Sequence, residues 1–157
     1  RGTPSVTQLM IIYFVVFASV HLDKWIIAAI AFGINSGAYV SEIIRAGIMS
    51  IDKGQTEAGR SLGLNAAQTM SRIVVPQAVK NIFPALCNEF IVLIKETAIV
   101  GYVGLMDIQK AGDFIKSATY KPIMPLIATA IIYFVIIKVL TLLLGLIEKQ
   151  LRKSEVR

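Results

Sequence analysis

Four long apolar runs divide this chain, and the polar stretches between them carry its chemistry. The first covers residues 6–22, with Pro4 at a helix-entry position and Thr3 as its predicted cap. The second, 25–44, carries Asn35, Ser36, Gly37, Ser41 and Glu42 toward its end. The third, 82–105, is interrupted by Asn88, Glu89, Lys95, Glu96 and Thr97, and the fourth covers 122–147. Each run is close to the roughly 20 residues a helix needs to cross a bilayer. The pattern predicts an all-α membrane protein with about four transmembrane helices.

The longest polar segment, 45–80, contains a second periodicity. Ala58, Leu62, Ala66 and Met70 recur every four residues, which predicts a helix over 55–71. Gln55 or Thr56 is its expected cap, and Glu57 in the first turn suits the helix dipole. Ala58, Gly59 and Gly63 form a small-residue face that lets another protein's backbone come close. Gly63 also lets the chain turn, and Pro76 is expected to end the loop before the next span. An ordinary amphipathic surface helix is the plainer reading of the same pattern.

Basic residues set the orientation. Arg45, Lys53, Arg60, Arg72 and Lys80 place the 45–80 loop in the cytoplasm. Alternation then puts Arg1 inside, the His21–Lys24 turn outside, residues 107–121 outside and the tail 149–157 inside. The tail holds Lys149, Arg152, Lys153 and Arg157, an agreement independent of the assignment. Composition narrows the class further. At 55% hydrophobic and a mean hydropathy of +0.69, the chain is too apolar for a soluble domain. The net charge of +6 lies beside apolar spans, as topology signals do, and does not point to nucleic acid. Cys87 and His21 each stand alone, so neither a disulfide, a metal site nor a nucleophile set is expected.

Charges inside spans cost about 3 kcal/mol each on insertion scales and so need a reason. Asn88 and Lys95, and likewise Glu89 and Glu96, are seven apart, which places all four in neighbouring sectors of one helix face. One reading makes them structural, with Lys95 paired to a carboxylate. The other makes Asn88, Glu89, Lys95, Glu96 and Thr97 the lining of a solute path, where a carboxylate meets an ammonium group. Glu42 is expected to pair with Arg45. Lys138, within the fourth run, either snorkels or reaches a carboxylate. Tyr13, Tyr39, Tyr102 and Tyr133 read as packing or interface residues.

Glu57-Ala58-Gly59, Gly63 and Ile73-Val74-Val75-Pro76 resemble the "EAA" signature of the permease subunits of ATP-binding-cassette importers, with Gly59 where a second Ala and Val75 where Leu is usual. The segment from Ala38 to Ile48, together with Asn88-Glu89-Phe90 and Leu93 to Thr97, resembles the polar amino-acid subgroup (histidine, glutamine, arginine). Arg1-Gly2-Thr3-Pro4 resembles the start of an early span there, which implies a missing N-terminal span. The resemblance implies a type I importer permease domain over 1–148, a coupling loop at about 50–76 and a basic tail at 149–157. It also implies a bacterial inner membrane, multi-pass location.

On this resemblance Glu57, Ala58, Gly59, Gly63, Ile73 and Pro76 are the ATPase-coupling residues, and the short helix docks in a groove of the ATPase subunit. The implied partners are a cytosolic ATPase dimer, a second permease subunit, an extracytoplasmic solute-binding protein and an amino-acid substrate. The chain has no G-x-x-x-x-G-K-[ST] loop, so ATP is expected to be used by the partner and no cofactor or catalytic residue by this chain. Alternatives are a permease for another small polar solute, a passive channel or scaffold, and an intramembrane enzyme using Glu89, Lys95 and Glu96.

Overall fold

The structure is a computed structural model that describes residues 2–153, with side chains through Gln150. Arg1 and the tail residues Arg152, Lys153 and Arg157 therefore lie outside the described side chains. Every regular element among the described residues is helical: α1 (Ser5–Ile11), α2 (Lys24–Met49), α3 (Lys53–Ser61), α4 (Ala66–Thr69), α5 (Val75–Glu96), α6 (Ile108–Thr119) and α7 (Ile123–Lys153). Wider π turns follow α1 at Ile12–Val16 and α4 at Met70–Val74, and a 3-10 turn, Thr97–Val103, follows α5. The chain forms two compact units, one from residues 1–38 and 90–142, the other from 39–89 and 143–157.

The first unit is built on Leu9, Ala28, Ala31, Val100, Val103 and Leu105, with Ile12, Tyr13, Phe32 and Ile99 packed against them. These residues come from α1 and the π turn after it, α2, and the 3-10 turn with Leu105 just beyond it. The 3-10 turn stops at Gly104, whose φ of 76° suits a residue without Cβ. Asp107 then starts α6 by accepting from the backbone N–H groups of Gln109 and Lys110. At Gly112, α6 lies so close to α7 that a Cβ would meet Thr129 Oγ1 at 2.5 Å. Thr129 is buried and donates to the Pro125 carbonyl at 2.9 Å.

The second unit joins the end of α2, the α3–α4 segment and the start of α5. A Cβ on Gly47 would run into the side chain of Ile82, so α2 and α5 touch at a glycine. Small residues serve such close helix approaches where no hydrophobic force drives association. Beside this point Asn81 Nδ2 donates to Ser50 Oγ at 2.9 Å, and Ser50 Oγ donates to the Gly47 carbonyl at 2.8 Å.

Several expectations are corrected. The helix predicted over 55–71 is two helices, because Gly63 takes φ 84° and breaks the period. Its cap is Asp52, accepting from Gly54 N, and neither Gln55 nor Thr56. Pro76 does not end the loop: it sits in the first turn of α5, on a helical path that continues from Ala66. A π turn precedes it, in which Val75 N reaches back five residues to the Met70 carbonyl, and the missing N–H of proline is tolerated in the first turn of a helix. The first apolar run is helical only to Val16, and its cap is Pro4, with no side-chain bond from Thr3. Residues 107–121, expected only as a polar mixed stretch, contain α6.

Among the described residues two helices are long and apolar enough to cross a membrane: α2, and α7 over Ile123–Gln150. Beyond Thr129 no residue of α7 up to Gln150 is buried within this chain, and Phe134, Leu142 and Leu146 are all more than half exposed. A surface of that kind is stable against hydrocarbon or another apolar chain, not against water.

Two substitutions test these contacts. Gly112→Leu should lower the stability of the solubilised protein by about 1–3 kcal/mol through overpacking against Thr129, whereas Gly33→Ala, with no atom within 4 Å of the added Cβ, should leave the unfolding midpoint unchanged or slightly raised. Asn65→Ala should remove the cap described below and make the amides of residues 66–69 exchange faster, by about 1 kcal/mol of local opening energy; hydrogen exchange reads this directly.

Candidate coupling loop and polar helix positions

Between α2 and α5 the chain makes a compact helical hairpin whose helix ends are closed by local hydrogen bonds. Asp52 caps α3 with a 2.6 Å bond from Gly54 N. At the other end Leu64 N reaches the Gly59 carbonyl at 3.2 Å and Gly63 N the Arg60 carbonyl at 3.0 Å. That is the paired pattern that closes a helix with a left-handed glycine. Asn65 then opens α4 with a capping box: its side chain accepts from Gln68 N at 2.9 Å, and Gln68 Oε1 accepts from Asn65 N at 3.0 Å.

Within this hairpin Glu57 and Ala58 are exposed, as are Gly63 and Pro76, while Ile73 is half-buried. Gly59 departs from its predicted outward role. It is the buried residue of α3, and a Cβ there would meet Ile73 Cδ1 at 2.7 Å and Thr69 Cγ2 at 2.9 Å. Its missing side chain admits the chain's own helix, not a partner's. Thr69, 1% exposed, donates to the Asn65 carbonyl at 3.0 Å. The outward face instead ends in Leu62, which is 82% exposed. The four-residue repeat had assigned Leu62 to the apolar side of one long helix, and the break at Gly63 releases it to the surface.

The polar positions of the third run divide between the units. Asn88 is exposed and Glu89 half-buried in the second. In the first, Lys95 is exposed and forms no ion pair with a described residue, so the predicted Lys95–carboxylate pairing is not found. Glu96 Oε1 accepts from Ser5 Oγ at 3.3 Å, and Thr97 Oγ1 donates to the Ile94 carbonyl at 2.7 Å. Gln8 Oε1 accepts from Asn35 Nδ2 at 2.7 Å, and Gln8 Nε2 donates to Thr3 Oγ1 at 2.8 Å. Asn35 is 9% exposed, so this bond keeps a nearly buried amide satisfied.

Ser5 and Gln8 carried no signal in the sequence; only folding across 91 and 27 residues of separation brings them to Glu96 and Asn35. The Glu42–Arg45 pair forms as expected, Nη2 to Oε2 at 2.7 Å, on an exposed surface. Lys138 is exposed and makes no ion pair with another described residue. The first unit also has an open, mainly apolar pocket of about 450 Å³, lined by Trp25, Phe32, Ile94, Thr97, Asp107 and Tyr133 among others. Tyr133 does more than pack, since its hydroxyl donates to Asp107 Oδ2 at 3.2 Å.

The chain is similar to several known proteins. The chain is 44% identical to a putative glutamine transport system permease protein of Rickettsia bellii over 153 residues, 96% of this chain and 70% of that protein. It is 45% identical to the arginine transport system permease protein of Bacillus subtilis, over 99% of this chain and 72% of that one. The glutamine transport system permease protein of Escherichia coli K12 is 34% identical over 97% of this chain and 71% of its own length. A crystal structure of an amino acid ABC transporter with histidines superposes with a TM-score of 0.87 at 46% identity, covering 96% of this chain and 71% of that one. Residues 1–153 match the family of inner membrane components of binding-protein-dependent transport systems, and the chain belongs to that family of transport permeases.

Proposed function

We propose that this chain is the membrane permease of an ATP-driven amino-acid importer, of the type I architecture with about four spans, and that α3 is its coupling helix. The observation that carries the reading is the α3 hairpin: a short, fully capped helix that turns every residue but Gly59 outward and ends in the exposed Leu62. A large apolar side chain at the tip of a polar hairpin gains about 1.5–3 kcal/mol when a partner's groove takes it out of water. The names of the relatives, which include glutamine and arginine permeases, support an amino acid as the solute.

In this reading α3 seats on a cytosolic ATPase dimer through Glu57, Ala58 and Leu62. Gly63 shapes the turn, and Gly59, Ile73 and Pro76 keep the hairpin on α5. A second permease subunit completes the path, and an extracytoplasmic binding protein delivers the solute. ATP is bound and hydrolysed by the partner alone. Closure of the ATPase dimer moves α3, and the spans rock to expose the cavity on the other side of the membrane. The two ATPase states must hold α3 with different free energies, because a contact equal in both shifts nothing. Asn88, Glu89, Lys95, Glu96 and Thr97 contribute to the solute path, with the Glu96 carboxylate, held by Ser5, as the anionic partner for an ammonium group.

Leu62→Asp should abolish co-purification of the ATPase with the permease while membrane insertion stays normal; an intact complex with normal uptake would refute the docking role. Glu96→Gln should reduce amino-acid uptake in proteoliposomes by about tenfold, the loss of one charge-assisted hydrogen bond, with assembly unchanged. Normal transport by that variant would remove Glu96 from the path, and uptake without the ATPase would make the chain a passive channel.

A further inference from the structure

Docking alone does not couple two proteins: force reaches the spans only if α3 is fixed to one of them. The chain between α2 and α3 is the short link Ser50–Ile51–Asp52, and the link to α4 is the turn 62–65. Neither link is stiff by itself. What holds α3 is side-on contact with the helical path leading into α5. Gly59 lies against Thr69 and Ile73, and Gln77 Nε2 donates to Gln55 Oε1 at 3.3 Å from one turn farther along, while also donating to the Ile73 carbonyl at 3.0 Å. The same stretch of α5 then grips α2, through Ile82 on Gly47 and Asn81 on Ser50.

We infer that Gly59, Thr69 and Gln77 are positioning residues that make α3 and the start of α5 a single lever, so that motion of α3 is delivered to α5 and through Gly47–Ile82 to α2. This inference rests on α3 being the ATPase contact. None of the three needs to touch the ATPase or the solute. The contact also predicts a graded tolerance at Gly59. A single methyl group meets Ile73 Cδ1 at 2.7 Å and Thr69 Cγ2 at 2.9 Å, so both side chains must give by a few tenths of an ångström, whereas a longer side chain separates the helices.

The test uses the full-length permease with its ATPase and binding protein in proteoliposomes, and labelled glutamine and arginine as probes. The readout is solute taken up per ATP hydrolysed. Gly59→Ala should keep the wild-type ratio, and Gly59→Leu should lower it at least about fivefold, with ATP hydrolysis continuing and the ATPase still co-purifying. Gln77→Ala, a truncation at a half-buried position, should lower the ratio by about two- to tenfold, and Gln77→Glu, which keeps an acceptor but loses the donor, should not restore it. If Gly59→Leu does not assemble, Gln77→Ala decides. An assembled Gln77→Ala complex with the wild-type ratio overturns the lever. Failure of the docking assignment itself is read separately, from co-purification of Leu62→Asp.

Discussion

The contact of Gly59 with Thr69 and Ile73 organises the cytosolic part of this chain. A helix of nine residues is too short to be stable alone in water, and α3 survives because both ends are capped and one face is packed. The packing is this close because position 59 has no side chain. Once α3 lies there, Leu62 is pushed outward by the turn at Gly63, and Gln55 comes within reach of Gln77. The exposed surface that the proposed function needs is therefore a consequence of an inward contact.

The same device recurs inside the helical layers. Gly47 against Ile82 and Gly112 against Thr129 bring backbones together at positions without a side chain. At each such point a hydroxyl is turned back onto its own helix or a neighbour, as with Ser50 and Thr129, so that close approach leaves no polar group stranded. The packing is economical in side chains and depends on glycine position far more than on apolar volume. It leaves the long apolar sides of α7 free to meet hydrocarbon or another subunit.

Polar groups in the first unit follow a related logic. Asn35 and Glu96 could not be left unpartnered in an apolar setting. Each is met by a residue of α1, Gln8 and Ser5 respectively, so α1 serves as a polar partner as well as a core element through Leu9. A carboxylate held by one hydroxyl retains acceptor capacity for a further donor. That is the state required of a group proposed to receive a cationic solute.

Much of this was legible along the chain. Long apolar runs with basic flanks determine an all-helical membrane protein, because only helices and closed barrels satisfy their backbone in lipid. The motif around Glu57, Ala58, Gly63 and Pro76 marked the loop, and the Glu42–Arg45 pair followed from a spacing of three. These are local effects, set by propensity, period and neighbouring charge. The tertiary structure alone decided that Gly59 faces inward, that Leu62 faces out, that Pro76 continues a helix, and that Ser5 and Gln8 answer Glu96 and Asn35. Each of those outcomes depends on which distant backbone arrives at a given position, and a period of four residues contains no information about that.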